Sequence, residues 1–257
     1  LLLETLFSDP GMFLRLVLYR VPALLIALSF HEWAHAFVAN RCGDPTARLM
    51  GRMTLNPRRH LDPMGTLMMF TVGFGWAKPV PVNPRNYRHR VADEIKVSLA
   101  GIATNLLLFM FFTAAMVALN RFLWKPEVIA DLGGPKAFLE FYGINFRLVV
   151  MGLNVSGEFM QHTWLAPVMG LLSVAVQLNL MLAIFNLLPF PPLDGYHVAN
   201  NVIFRGRFHI TPQMAQIGMM AVVGLSIFTN ILSDVMNFLA TNVHGAVLSM
   251  FLMLTGN

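Results

Sequence analysis

Uncharged apolar windows dominate the pattern along this chain. Residues 97–119, between Lys96 and Arg121, form one of 23 residues, and residues 159–193, between Glu158 and Asp194, form another of 35. Residues 208–233 lie between Arg207 and Asp234, and residues 235–257 hold no Asp, Glu, Lys or Arg. A helix needs about 20 mainly apolar residues to cross the hydrocarbon core. Each window is long enough, although the last, with Asn237, Asn242 and His244, also suits a helix lying along the interface. A fifth candidate, 21–41, is interrupted by His31, Glu32 and His35. Residues 63–77 are fewer and contain three glycines, which suits a re-entrant or interfacial segment better than a span. The pattern predicts an all-α polytopic membrane protein with four to six transmembrane helices and one such short loop, residues 1–257 forming a single membrane-embedded domain.

Composition agrees. Apolar residues make up 56% of the chain and charged residues 12%, about half the charge of an ordinary soluble domain. Too few polar side chains remain to coat a soluble globule, and the apolar content excludes disorder. The single cysteine, Cys42, excludes a disulfide framework and any cysteine-built metal site. Leu1–Phe7 is apolar without a basic leader, so no cleavable signal peptide is expected.

The net charge of +5 is explained by topology. Ten of the 18 Lys and Arg fall between Arg41 and Lys96, which predicts a cytoplasmic loop there. The weakly basic 120–163 segment then lies on the far side, and the 194–212 loop returns to the cytoplasm. The basic residues form no nucleic-acid reading motif, and no nucleic-acid partner is expected. Trp33, Trp76, Trp124 and Trp164 lie near predicted span ends, as interfacial anchors would. Residues 138–150 read as an interfacial amphipathic helix.

The chemistry sits where polar groups are most expensive. In Phe30-His31-Glu32-Trp33-Ala34-His35, the two histidines are four apart on a helix, so both imidazoles share a face and can reach one metal ion. Glu32 lies at the edge of that face, beside the place of a metal-coordinated water. H-E-x-x-H is an established zinc-hydrolase pattern. Two histidines four apart also occur as ordinary surface pairs, but next to an apolar span ionisable groups are rare and usually functional. A zinc site needs a third protein ligand and an open position. Asn186-Leu-Leu-Pro-Phe-Pro-Pro-Leu-Asp194-Gly195 ends the 35-residue window with three prolines, which break the helix. Gly195 then permits a tight turn after the acid. Such an unwound end can aim Asp194 into a cavity at membrane depth; the alternative is a capping aspartate at a helix start. His197 is the reserve ligand. Asn105 and Asn186, amides within apolar windows, either meet a developing oxyanion or substrate backbone, or hydrogen-bond between spans.

Taken together, the two motifs resemble the site-2 protease family of intramembrane zinc metalloproteases. Further stretches resemble its short bacterial-type members without a PDZ domain: Gly43-Asp44-Pro45-Thr46-Ala47, Thr54-Leu55-Asn56-Pro57, Asp62-Pro63-Met64-Gly65 and the run from Gly73 to Pro84. The resemblance covers about residues 21–110 and 170–200. It implies one zinc ion per chain held by His31, His35 and Asp194, with Glu32 as general base and then acid. It also implies hydrolysis of peptide bonds within or near transmembrane segments of membrane proteins, in the bilayer of the cell (inner) membrane if the source is bacterial, with room for a regulatory membrane partner. The family's Ala-Gly-Pro-x-x-Asn motif stands here as Ala100-Gly101-Ile102-Ala103-Thr104-Asn105, without the proline; Gly101 and Ala103 read as helix-packing positions. The glycine- and proline-rich run 73–84 resembles a membrane-associated loop or hairpin near the active site. Two other readings compete: a metal-ion transporter or channel using the same ligands, and a catalytically inactive membrane scaffold. Neither requires a general base beside two histidines.

Overall fold

A computed structural model describes residues 2–71, 76–152, 157–204, 207–208 and 211–255. Its helices in chain order are α1 (Leu2–Ser8), α2 (Pro10–Arg41), α3 (Thr46–Leu49), α4 (Pro63–Thr71), α5 (Arg90–Leu123) and α6 (Pro126–Asp131). There follow α7 (Gly134–Leu139), α8 (Ala166–Leu187), α9 (Asp194–Ile203), α10 (Pro212–Phe228) and α11 (Ile231–Thr255). The described residues contain no strand, only isolated bridges between Leu61 and Ala77 and between Trp124 and Met160. Four helices are long and apolar enough to cross a membrane: α2, α5, α8 with its preceding turn (Thr163–Leu187), and α11. The protein is an all-α polytopic membrane protein.

Charged residues do not end these helices where the uncharged windows end. α2 begins at Pro10, with Asp9 Oδ1 accepting the Met12 N–H, and it carries Arg15 and Arg20 within its length. Proline is tolerated at a helix start because the first N–H groups have no partner in any case. The helix stops where Gly43 takes φ +109°, a left-handed conformation that glycine adopts freely. α5 likewise begins seven residues before its window, with Asp93 reaching back to the His89 N–H. The predicted span 208–233 is instead α10, capped by Thr211 and only 17 residues long. α11 starts at Ile231 with Asp234 in its first turn, where the helix dipole favours an acid. Residues 235–255 therefore belong to a helix of spanning length.

The chain divides into two compact units. One comprises Leu25–Leu106 and Leu182–Met236, and carries every predicted site residue. In it, α4 is capped by Asp62, whose Oδ1 accepts the Gly65 N–H. The Lys78 N–H donates to His60 O, so the chain beyond α4 comes back alongside the residues before it. Residues 73–75 of the glycine-rich run lie outside the described residues.

The other unit comprises Leu2–Leu24, Leu107–Met181 and Asn237–Asn257. Trp124, expected at an interface, is fully buried here: its indole N–H donates to Asn145 Oδ1, and Asn145 Nδ2 donates to Asn120 Oδ1. A buried indole needs such a partner, and this one lies in the interior. Residues 138–150 are not one amphipathic helix. α7 stops at Leu139, and Gly143 lies so close to Ala137 O and Glu140 that a Cβ would clash. Phe138, Phe141, Phe146 and Val149 are buried in this unit's core, while Tyr142 is exposed.

Candidate metal centre

His31 and His35 stand one turn apart on α2, both buried, with ring centroids 4.6 Å apart and planes nearly perpendicular. Their Nε2 atoms are 3.0 Å apart. What orients them is one face of α5, where Val97, Gly101 and Asn105 follow at four-residue spacing. His35 Nδ1 lies 2.7 Å from Val97 O, and a carbonyl can only accept, so Nδ1 carries the proton. His31 Nδ1 lies 2.6 Å from Asn105 Oδ1, while Asn105 Nδ2 donates to Ala27 O. That second bond turns the amide oxygen toward His31, which again places the proton on Nδ1. In a neutral imidazole held this way, Nε2 keeps its lone pair for a metal. Gly101 fills the interval between the two acceptors: a Cβ there would lie 2.5 Å from His31 Cε1 and from His35 Nε2.

Asp194 arrives from the break after α8. It is the first residue of α9, whose cap is Leu193 and makes no side-chain cap bond, so the capping alternative does not describe it. Its Oδ2 lies 3.2 Å from both histidine Nε2 atoms. Gly195 is required here by close approach and not by a left-handed turn, since a Cβ would meet Leu187 O at 2.2 Å. Three atoms able to ligate a metal thus converge, and with both imidazoles neutral a cation among them would balance their lone pairs and the carboxylate charge. The spacing of 3.0–3.2 Å also suits a tetrahedral metal; zinc bonds of about 2.0–2.1 Å place ligand atoms roughly 3.3 Å apart. His31, His35 and Asp194 could hold a metal ion.

Glu32 is buried beside this cluster and not part of it; its Oε2 accepts the Val80 N–H at 2.8 Å. Asn105 is placed behind His31. Asn186, half-buried in the last turns of α8, donates to Leu182 O of its own helix, and among the described residues no hydrogen bond ties it to His31, His35 or Asp194. His197 pairs with Glu94 at 3.2 Å and stands apart from the cluster. His60 is tied to Thr54 O and His162 to Phe122 O, and His209 lies outside the described residues. The partners that reading side chains missed are main-chain groups, Val97 C=O and Val80 N–H, and the empty volume at Gly101.

Four helices of membrane-spanning length, and an H-E-x-x-H turn to which a distant aspartate comes close, define the class: a multi-pass membrane protein with a cluster that could hold a metal ion. The chain belongs to Peptidase family M50, the site-2 protease family, whose sequence model matches residues 19–230. It is 37% identical over 190 residues to "Putative zinc metalloprotease YwhC" of Bacillus subtilis, covering 74% of this chain and 71% of that one. It is 32% identical over 176 residues to "Putative zinc metalloprotease Rip2" of Mycobacterium tuberculosis, and 29% identical over 177 to the Rip2 of Mycolicibacterium smegmatis. Each Rip2 match covers 67% of this chain and 52% of the relative, so the chain spans about half the length of those proteins. No solved structure matches.

Proposed function

We propose that this protein is a zinc metalloendopeptidase that hydrolyses peptide bonds within or near transmembrane segments of membrane proteins, as a step of regulated intramembrane proteolysis. The observation that carries this reading is the convergence of three atoms able to ligate a metal beside a buried, separately held carboxylate. His31 and His35, through Nε2, and Asp194, through Oδ2, would hold one zinc ion; such an ion supplies Lewis acidity that acidifies water and polarises a peptide carbonyl. Asn105 and the Val97 carbonyl hold each imidazole in the tautomer a metal requires. Glu32 is the proton carrier: with Oε2 fixed by Val80, Oε1 takes a proton from the attacking water and returns it to the leaving amine. Asn186 commits one amide hydrogen to Leu182 O and offers the other to substrate backbone or to the developing oxyanion. The basic 41–96 segment supports a site nearer the cytoplasmic end of α2, at the Arg41 side.

The test separates metal from chemistry. Purified protein in micelles should hold about one zinc per chain, and His35→Ala should lose it. Glu32→Gln should keep the zinc while cleavage of a fluorescence-quenched single-span peptide falls by a factor of about 100 or more. Full zinc retention in a His31/His35/Asp194 triple alanine variant, or rapid turnover by Glu32→Gln, overturns the assignment. A permeation site would instead pass zinc across liposomes whether or not Glu32 is present.

A further inference from the structure

Two buried charged residues beyond the motif, Asp44 and Arg52, act on the same short stretch of backbone. Asp44 is fully buried just past the end of α2. Its Oδ1 accepts from the Thr46 N–H, the Thr46 hydroxyl and Asn86 Nδ2, and its Oδ2 accepts the Asn83 N–H at 2.6 Å. Burial by itself would raise the Asp44 carboxyl, but these donors outweigh it and hold the group below its ordinary 3.8. Its anchoring is therefore complete at neutral pH and fades only as pH falls through that lowered value. Arg52 is likewise buried, and one guanidinium nitrogen donates to Lys78 O at 2.8 Å and Pro79 O at 3.2 Å.

Between these anchors lies residue 80. Lys78 N–H is held by His60 O, Lys78 and Pro79 C=O by Arg52, and Asn83 N–H by Asp44. Pro79 and Pro81 have no N–H to offer a competing partner. The remaining tie is the Val80 N–H on Glu32 Oε2, and Val80 is itself buried against Ala36 of α2 and Ala47 of α3. A carboxylate on a flexible side chain gains a fixed direction only if its donor is itself fixed, and here the donor is a peptide N–H clamped on both sides.

We propose that Asp44 and Arg52 are positioning residues for Glu32, acting through residues 78–83 to hold the Val80 N–H on the carboxylate. This rests on the reading of Glu32 as proton carrier and names what aims it. Neither residue touches the metal ligands, so neither should alter zinc content.

The experiment is a double-mutant cycle on the purified full chain, with the quenched single-span peptide as substrate and hydrogen exchange as a second readout. Asp44→Asn should retain one zinc per chain and an unchanged KM. Its kcat should fall about tenfold or more, in the range that misplacing a catalytic group costs. Asp44→Glu should recover part of the loss. In a Glu32→Asp background, where the shortened carboxylate has already lost its Val80 contact, Asp44→Asn should cost less than about twofold, because coupled residues are not additive. Exchange of the 78–83 amides should rise about tenfold in Asp44→Asn. Should Asp44→Asn fail to fold, Arg52→Lys, which keeps the charge but loses the planar fork, should show the same pattern more weakly. An equal loss of kcat in both Glu32 backgrounds, a loss of zinc, or unchanged exchange at 78–83 overturns the proposal. Absence of cleavage by the unsubstituted protein would instead strike the protease reading, while the exchange arm still tests the clamp.

Discussion

A methyl group at residue 101 would lie 2.5 Å from His31 Cε1 and His35 Nε2 and 2.6 Å from His31 Nε2. Neither ring can step aside, because each is tethered by its Nδ1 to an acceptor on the same helix as the glycine. Gly101→Ala should therefore drive at least one imidazole out of line. Zinc per chain should drop below about a tenth of the unsubstituted value, while helical circular dichroism is retained, since alanine favours a helix interior over glycine by about 1 kcal/mol. Metal analysis beside the far-ultraviolet spectrum checks both halves. Retained zinc would mean that α5 gives way more easily than the two hydrogen bonds imply.

At the level of elements, the site depends on how α8 hands over to α9. Asp194 is delivered by six irregular residues, and Gly195 packs directly on the last carbonyl of α8. Here the obstructing atoms are backbone, so a Cβ cannot be absorbed by a rotamer change. Gly195→Ala should push the start of α9 away and weaken zinc binding about tenfold or more in a chelator competition. Gly245→Ala in α11, where an added Cβ meets nothing within 4 Å, should leave zinc binding unchanged. Equal affinities for the two variants would show that the junction tolerates the shift.

For the whole molecule, the distribution of basic residues and four spanning helices make a definite claim about sidedness. The chain between α2 and α5 should face the cytoplasm, and that between α5 and α8 the opposite side. In a Cys42→Ser background, Lys136→Cys should react with an impermeant maleimide on intact cells, and Arg59→Cys only after permeabilisation; both positions are exposed. The reverse pattern would invert the topology. A spanning substrate also arrives with its peptide groups sealed in helical hydrogen bonds, and each one opened in lipid costs several kcal/mol. Cleavage should therefore favour bonds near Gly, Pro or Asn. Replacing such residues by leucine in a cleaved substrate should slow hydrolysis without affecting insertion, and equal rates at the same bond would show that unwinding is not limiting.

What the sequence determined by itself was whatever is carried by local spacing or by bulk solvation. Uncharged length announced the spans because hydrocarbon penalises charge wherever the chain goes. The four-residue step from His31 to His35 put two imidazoles on one face because helical pitch is fixed. The prolines before Asp194 marked a helix end because they lack the N–H that a helix needs. Charge positions misjudged the ends themselves: Asp93 and Asp234 sit inside first turns, where a helix dipole welcomes them, and Arg15 inside α2 finds the Met151 carbonyl. Only the tertiary structure decided the rest. It buried Trp124 on Asn145, brought Asp194 to the two histidines across more than 150 residues of chain, turned Asn105 onto His31 and left room for them at Gly101. It also placed Val97 C=O and Val80 N–H against His35 and Glu32. Every residue but proline carries both of these main-chain groups, so no residue type signals which of them will be used, and only packing selects them.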